Sequence, residues 1–171
     1  MNKGEMTMAE YKNVLVGIDG SKQSIMAFHK AIDIAKRNNS KLHLLSVVNG
    51  EHYPTAAGYG IIDRDMYDAA VERMKKTLAE LEQEAKKAGL AEVDTTVMVG
   101  NAKLAITDQY PKKHDVDLIV VGATGLNVIG RIIVGSTAAY VIRHAPCDVT
   151  VVKTDEKNQP VKVEDVSYPE I

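Results

Sequence analysis

Gly122-Ala123-Thr124-Gly125, nine further residues and then Gly135-Ser136-Thr137 make the stretch with the clearest chemical meaning in this chain. It follows the apolar run at 117–121 and precedes a helical pattern. A buried strand, a glycine loop and a helix start together build a place for an anion. Glycine lets backbone approach a ligand closely. A helix N-terminus presents unpaired N–H groups and partial positive charge. A second candidate is Asp19-Gly20-Ser21, which follows the first apolar run. A carboxylate only accepts hydrogen bonds, so Asp19 suits a ligand with paired hydroxyl donors. Ser21 suits the N-cap of the helix that follows.

Other chemistry finds less support. The chain has no Gly-x4-Gly-Lys-Ser/Thr, so it is not a P-loop enzyme. It has no Gly-x-Gly-x-x-Gly after its first strand, which argues against the usual dinucleotide site. His29, His43, His52, His114 and His144 show no metal-ligand spacing. The lone cysteine, Cys147, follows Pro146 at a strand start and reads as a small buried residue. Slow phosphoryl transfer would need a positioned base and a cation. Arg131 is the one candidate cation, no persuasive base is present, and no catalytic residue is assigned.

The elements that must position these residues read clearly. Residues 13–18 are a near-continuous apolar strand, as in a parallel sheet covered on both faces. Ile25, Phe28, Ile32 and Ala35 then recur at helical spacing until Asn38-Asn39. A second strand spans 42–48. Residues 49–62, with Gly50, Pro54, Gly58 and Gly60, read as a loop that could act as a lid. Tyr67, Val71, Met74, Leu78, Leu81, Ala85 and Ala88 give one apolar face of a long helix. Its methionines are assigned to the core, its wet side carries Glu72–Lys76 and Glu82–Lys86, and Gly89 closes it. Strands at 93–99, 117–121 and 148–152 alternate with helices at 102–113, interrupted or kinked near Pro111, and at 136–144, where Ser136 is a candidate N-cap. Five strands alternating with helices predict a doubly wound α/β parallel sheet with helices on both faces. In such sheets ligands sit at the carboxyl ends of strands, at a switch point.

The 171 residues fit one domain at 11–153, with a polar extension at 1–10 and a loosely ordered tail at 154–171. The formal net charge of -2 argues against a nucleic-acid partner. No apolar run reaches the roughly 20 residues of a membrane span. The N-terminus lacks a signal-peptide pattern, and one cysteine suits a reducing cytoplasm, so a cytoplasmic protein is expected.

The run 13–21, the Gly-x2-Gly-x9-Gly-Ser signature and the ending Arg143-His144-Ala145-Pro146-Cys147-Asp148-Val149 together resemble the nucleotide-binding subgroup of the universal stress protein family. The resemblance covers about residues 11–153. It implies a sheet of order 3-2-1-4-5, of the adenine nucleotide alpha hydrolase type. It also implies homodimers, here through the edge strand 148–153, and ATP binding in a stress response. Carried over by position, Asp19 takes the ribose hydroxyls. Gly17 and Ile18 line the approach to the base, Val47 meets the adenine edge and Val121 packs beside it. Gly122 and Gly125 pass close to ribose and phosphates. Gly135, Ser136 and Thr137 hold phosphate oxygens through N–H and hydroxyl groups. Two departures weaken the grip on a terminal phosphate: Thr124 replaces a His or Arg, and Ala138 replaces a hydroxyl. ADP or AMP would therefore bind comparably with ATP, unless Arg131 supplies the missing charge. Mg²⁺ would accompany the phosphates. A slow ATPase or phosphotransferase and a dimerisation scaffold without nucleotide are the alternatives.

Overall fold

The computed structural model describes residues 10–49, 64–123, 134–153, 157 and 159. Most of the predicted lid loop, Thr124, Gly125, Arg131, all of the N-terminal extension but Glu10 and nearly all of the tail lie outside the described residues.

The chain alternates strands and helices: β1 (Asn13–Gly17), α1 (Lys22–Asn38), β2 (Lys41–Asn49), α2 (Arg64–Lys87), β3 (Val93–Gly100), α3 (Ala102–Leu104), a π-helical turn (Ala105–Gln109), α4 (Tyr110–His114), β4 (Leu118–Gly122), α5 (Ser136–His144) and β5 (Asp148–Val152). All strand pairs are parallel, in the order β3-β2-β1-β4-β5. The chain runs outward from β1 through β2 to β3, then crosses to β4 on the other side. β1 and β4 therefore flank the switch point.

Alternation along β1 sorts the two cores. Val14, Val16 and Ile18 join Phe28 and Ile32 of α1 and Leu78, Leu81 and Ala85 of α2 on one face. Leu15 joins Leu45, Ile106, Tyr110, Ile119 and Val141 on the other. The apolar face read for α2 is thus the buried one. Met66, however, is half exposed, so the methionines of α2 are not all core. Glu72 pairs with Lys75, one residue before the predicted partner, whereas Glu82 pairs with Lys86 as read.

The stops follow local chemistry. Asn39 at φ 54 ends α1, its N–H donating to Ala35 and Lys36 carbonyls, with Ser40 N–H also reaching Ala35 O. Gly89 at φ 102 ends α2 in the same manner: Gly89 N–H donates to Lys86 O and Leu90 N–H to Ala85 O. Ala145, before Pro146, is extended at ψ 139, as a pre-proline residue must be. The helical segment 102–114 is interrupted just before Pro111 by the π-helical turn, which takes up one extra residue and brings Tyr110 N–H to Ala105 O. Pro111, which has no N–H, then opens α4 without leaving a donor unpaired.

At the amino ends of the strands, the Asp117 carboxylate accepts Lys12 N–H at 2.7 Å and Asn13 N–H at 3.0 Å. It thereby locks β1 to β4 and starts β4 one residue later than the apolar run suggests.

Candidate functional site

The carboxyl ends of β2, β1 and β4 lie side by side. Gly17 pairs with Leu45, and Val47 stands two residues further along β2 on the same face. Val16 pairs with Val120, which brings Gly17 beside Val121. A Cβ built on Gly17 would meet Ile106 Cδ1 at 3.5 Å and Val121 Cγ1 at 3.9 Å, ordinary contact distances. Gly17 is therefore not forced by packing. Ile18 N–H donates to Leu45 O at 2.8 Å, extending the pairing past the end of β1.

The second core opens at this end. Leu15, Leu45 and Ile119 are fully enclosed, whereas Val47, Met98 and Val134 are half-buried against the same cluster. The result is an apolar rim beside the last backbone groups of the strands, suited to a flat apolar ring. Met98, Val134 and Ile106 carry no sequence signal for this role; only their meeting in space shows it.

Beyond β1 the chain turns at Asp19. Asp19 Oδ1 accepts Ser21 N–H at 2.9 Å, and Ser21 Oγ accepts Ser24 N–H at 3.1 Å as the N-cap of α1. Asp19 is thus the turn residue that its position allows. It is also exposed, and Oδ2 has no protein partner among the described residues. One carboxylate oxygen is spent on the turn and the other faces outward.

The glycine motif splits into parts with different physics. A Cβ on Gly122 would fall 2.8 Å from the C, O and Cβ atoms of Gln23, in the first turn of α1. Glycine at 122 is imposed by strand-to-helix packing, with its missing side chain directed at α1. After Ala123, whose N–H donates to Val152 O at 2.9 Å, the motif leaves the described residues until Val134. It returns where Gly135 N–H donates to Ala123 O at 2.7 Å. This bond anchors the start of α5 against the end of β4. It also corrects one expectation: the Gly135 N–H is already engaged and is no phosphate donor in this arrangement. Gly135, extended at ψ 158, is the N-cap residue, so Ser136 is the first helical residue and not the cap. The first helical bond runs from Ala139 N–H to Gly135 O. The N–H groups of Ser136 and Thr137 precede it, and α5 has no side-chain cap to occupy them. Gly125 and Arg131 lie outside the described residues.

The Cys147 thiol is pushed up to about 11, mainly by burial and further by the nearby Asp117 and Asp148 carboxylates. It stays protonated at neutral pH, which removes it as a nucleophile. Among the described residues no three His, Cys, Asp or Glu side chains converge to hold a metal. No described helix is long and apolar enough to cross a membrane.

Residues 10–153 match the profile of the universal stress protein family. The chain belongs to that family. A universal stress protein of Staphylococcus haemolyticus is 36% identical over 163 residues, spanning 95% of this chain and 96% of the relative. Among solved structures, the universal stress protein UspA from Lactobacillus plantarum is 36% identical with a TM-score of 0.76, covering 85% of this chain and 99% of that one. A universal stress protein crystallised in complex with cAMP is 28% identical with a TM-score of 0.61, covering 84% of this chain and 98% of that one. Both solved structures share the fold of this chain, and one of them was crystallised with cAMP.

Proposed function

We propose that this universal stress protein binds an adenine nucleotide across the ends of β2, β1 and β4. The observation that carries the reading is the Gly135–Ala123 hydrogen bond. It sets the uncapped first turn of α5 against the same strand end that lies beside Gly17 and Asp19. In this reading the base lies on the apolar rim, against Gly17, Ile18, Val47 and Val121, with the Val47 backbone at the adenine edge. Asp19 accepts the ribose hydroxyls through Oδ2, while Ser21 keeps Oδ1. Gly122 closes the floor beside the ribose, and Gly125 runs past the phosphates. Ser136 and Thr137 supply N–H and hydroxyl donors to the phosphate oxygens. The cAMP-bound relative supports an adenine ligand. ATP is the proposed nucleotide, with Arg131 assigned to its terminal phosphate; without that contact ADP or AMP would bind comparably. The described residues offer no metal cage, so Mg²⁺ would arrive on the phosphates themselves. Among the described residues nothing in this arrangement supplies a base for attack on a phosphate, and binding in a cytoplasmic stress response, rather than turnover, is the proposed role.

Asp19→Ala tests the ribose contact. It should weaken ATP binding by about 10-fold, the loss expected for charge-assisted hydrogen bonds worth about 1.5 kcal/mol. Deoxyribose competitors should lose correspondingly less on going from wild type to variant. Equal losses for ribose and deoxyribose ligands would remove Asp19 from the site.

A homodimer through β5 completes the proposal. β5 is a sheet edge whose central residues, 149–151, are half-buried, and Ile142 of the preceding helix is 53% exposed. An edge strand with apolar residues beside it needs a cover. Ile142→Glu should shift the sedimentation coefficient from dimer to monomer at micromolar concentration without lowering the melting temperature of the monomer fold. A variant that remains dimeric would place the interface elsewhere.

A further inference from the structure

A buried polar chain crosses the sheet at the end opposite the proposed nucleotide site. His43 on β2 is 2% exposed. Its Nε2 lies 3.2 Å from Asn13 Oδ1 on β1, and its Nδ1 lies 3.2 Å from the Tyr110 hydroxyl on α4. Tyr110 Oη lies 3.4 Å from Thr96 Oγ1 on β3. Asn13 Nδ2–H donates to Asp115 O at 3.3 Å. These partners fix every proton. Asn13 Oδ1 can only accept, so His43 carries its proton on Nε2. Nδ1 is then a lone pair, so the Tyr110 O–H must donate to it and the Thr96 hydroxyl donates onward to Tyr110. With neutral His43 every donor in the chain has an acceptor.

A second proton on Nδ1 would reverse the Tyr110 and Thr96 hydroxyls and place a cation in an enclosed site. The charged and titratable groups that face it cannot balance it. From β3, the Asp94 carboxylate is 4.0 Å away but is already bound to Lys41 of β2 at 2.6 Å. From α4, the His114 ring lies 5.5 Å away and stacks on Tyr110 at 4.0 Å. β1 offers only Asn13. Burial is the main reason that His43 is held down at about 4, with Lys41 and His114 adding to it and Asp94 opposing.

Tyr110 sits where α4 meets the π-helical turn, through its own N–H bond to Ala105 O. The same turn carries Ile106, whose Cδ1 bounds the space over Gly17. Movement of Tyr110 away from a charged His43 would therefore carry Ile106 with it. We infer that protonation of His43 releases the helical segment 102–114 from the sheet and withdraws Ile106 from Gly17, so that acid weakens ligand binding at the strand ends. The final step rests on the nucleotide reading above; the release itself does not.

Hydrogen exchange of the 102–114 segment, compared with α1, tests the release at about pH 7.5 and about pH 4.5 in wild type, His43→Gln and Tyr110→Phe. AMP affinity is measured in parallel. Wild type should lose about 10-fold more protection in 102–114 than His43→Gln does on acidification, while α1 stays level. Tyr110→Phe should show the loss at higher pH, because it removes the donor that favours the neutral ring. AMP affinity should fall several-fold further in wild type than in His43→Gln, a comparison that cancels the titration of AMP itself. Equal protection losses in wild type and His43→Gln would overturn the release. A pH-dependent release with identical AMP losses in both proteins would overturn the link to the site. A wild type that binds no AMP at pH 7.5 would overturn the nucleotide reading and the final step with it, while exchange still decides the release.

Discussion

Gly122→Val should unfold this protein at temperatures where the wild type is fully native. The position of the new Cβ is fixed by the backbone of β4, and three atoms of Gln23 lie 2.8 Å from it. Two of them are main-chain atoms of the first turn of α1, which no rotamer change can move aside. The helix start must shift bodily, and the Ser21 cap and the Asp19 turn lie just before it. Forcing volume into such a contact costs about 3 kcal/mol or more. For a domain of this size each kcal/mol lowers the melting temperature by about 2–4 °C, so a fall of about 10 °C is expected. Gly122→Ala should show most of the effect, because the first added atom is the one that collides. Gly17→Ala is the contrasting case. Its Cβ meets only side-chain ends at ordinary distances, so its melting temperature should stay within about 2 °C of wild type. In the proposed site, however, that methyl group stands where the base approaches. Gly17→Ala should therefore lose nucleotide affinity with its fold intact, while Gly122 variants lose the fold first. A Gly122→Ala protein as stable as wild type would refute the packing argument.

Stability should fall steeply as the solution is acidified below about pH 6.5, and His43 should account for a large part of the fall. The sign follows from linkage. The unfolded chain takes up a proton on this histidine near 6.5, whereas the folded chain resists until about 4. Between those values the unfolded state holds more protons, so stability drops as pH drops, and the contribution is gone below about 4. The gap is worth about 3 kcal/mol, comparable with the effect of a severe core substitution. Denaturant unfolding of wild type and His43→Gln at several pH values isolates it. The wild-type curve should lose about 3 kcal/mol more than the variant over this window. Parallel curves would mean that His43 charges without cost, against its enclosure and its neutral-ring hydrogen bonds.

These two predictions mark where sequence reading reached its limit. The alternation of strands and helices was legible because apolar periodicity and local stops agree: Ser21, Asn39, Gly89 and Pro146 each do what their own chemistry dictates. The switch point between β1 and β4 came with the strand order that the family resemblance implies. Gly122 was legible as important but not for its strongest reason. Nothing local to the glycine indicates that Gln23, almost a hundred residues earlier, will back onto it. The engagement of Gly135 N–H by Ala123 O was equally hidden, since the motif alone cannot say which of its donors the loop consumes in closing. The π-helical turn was missed because Pro111 signals a disturbed helix without saying on which side the strain is absorbed. His43 lay inside an apolar strand and was judged only for metal spacing. Its partners Asn13 and Tyr110, and Thr96 beyond Tyr110, come from three other elements, so no spacing rule could have gathered them.

The central claim is nucleotide binding at the strand ends, and calorimetry tests it most directly. The protein is denatured and refolded to strip any carried ligand. It is then titrated with ATP, ADP and AMP, with and without Mg²⁺. Micromolar binding of an adenine nucleotide at one site per chain is expected, a binding energy of about 8 kcal/mol. No heat from any of the three with a correctly refolded protein would contradict the claim and leave the glycine motif as a packing and loop-closing device.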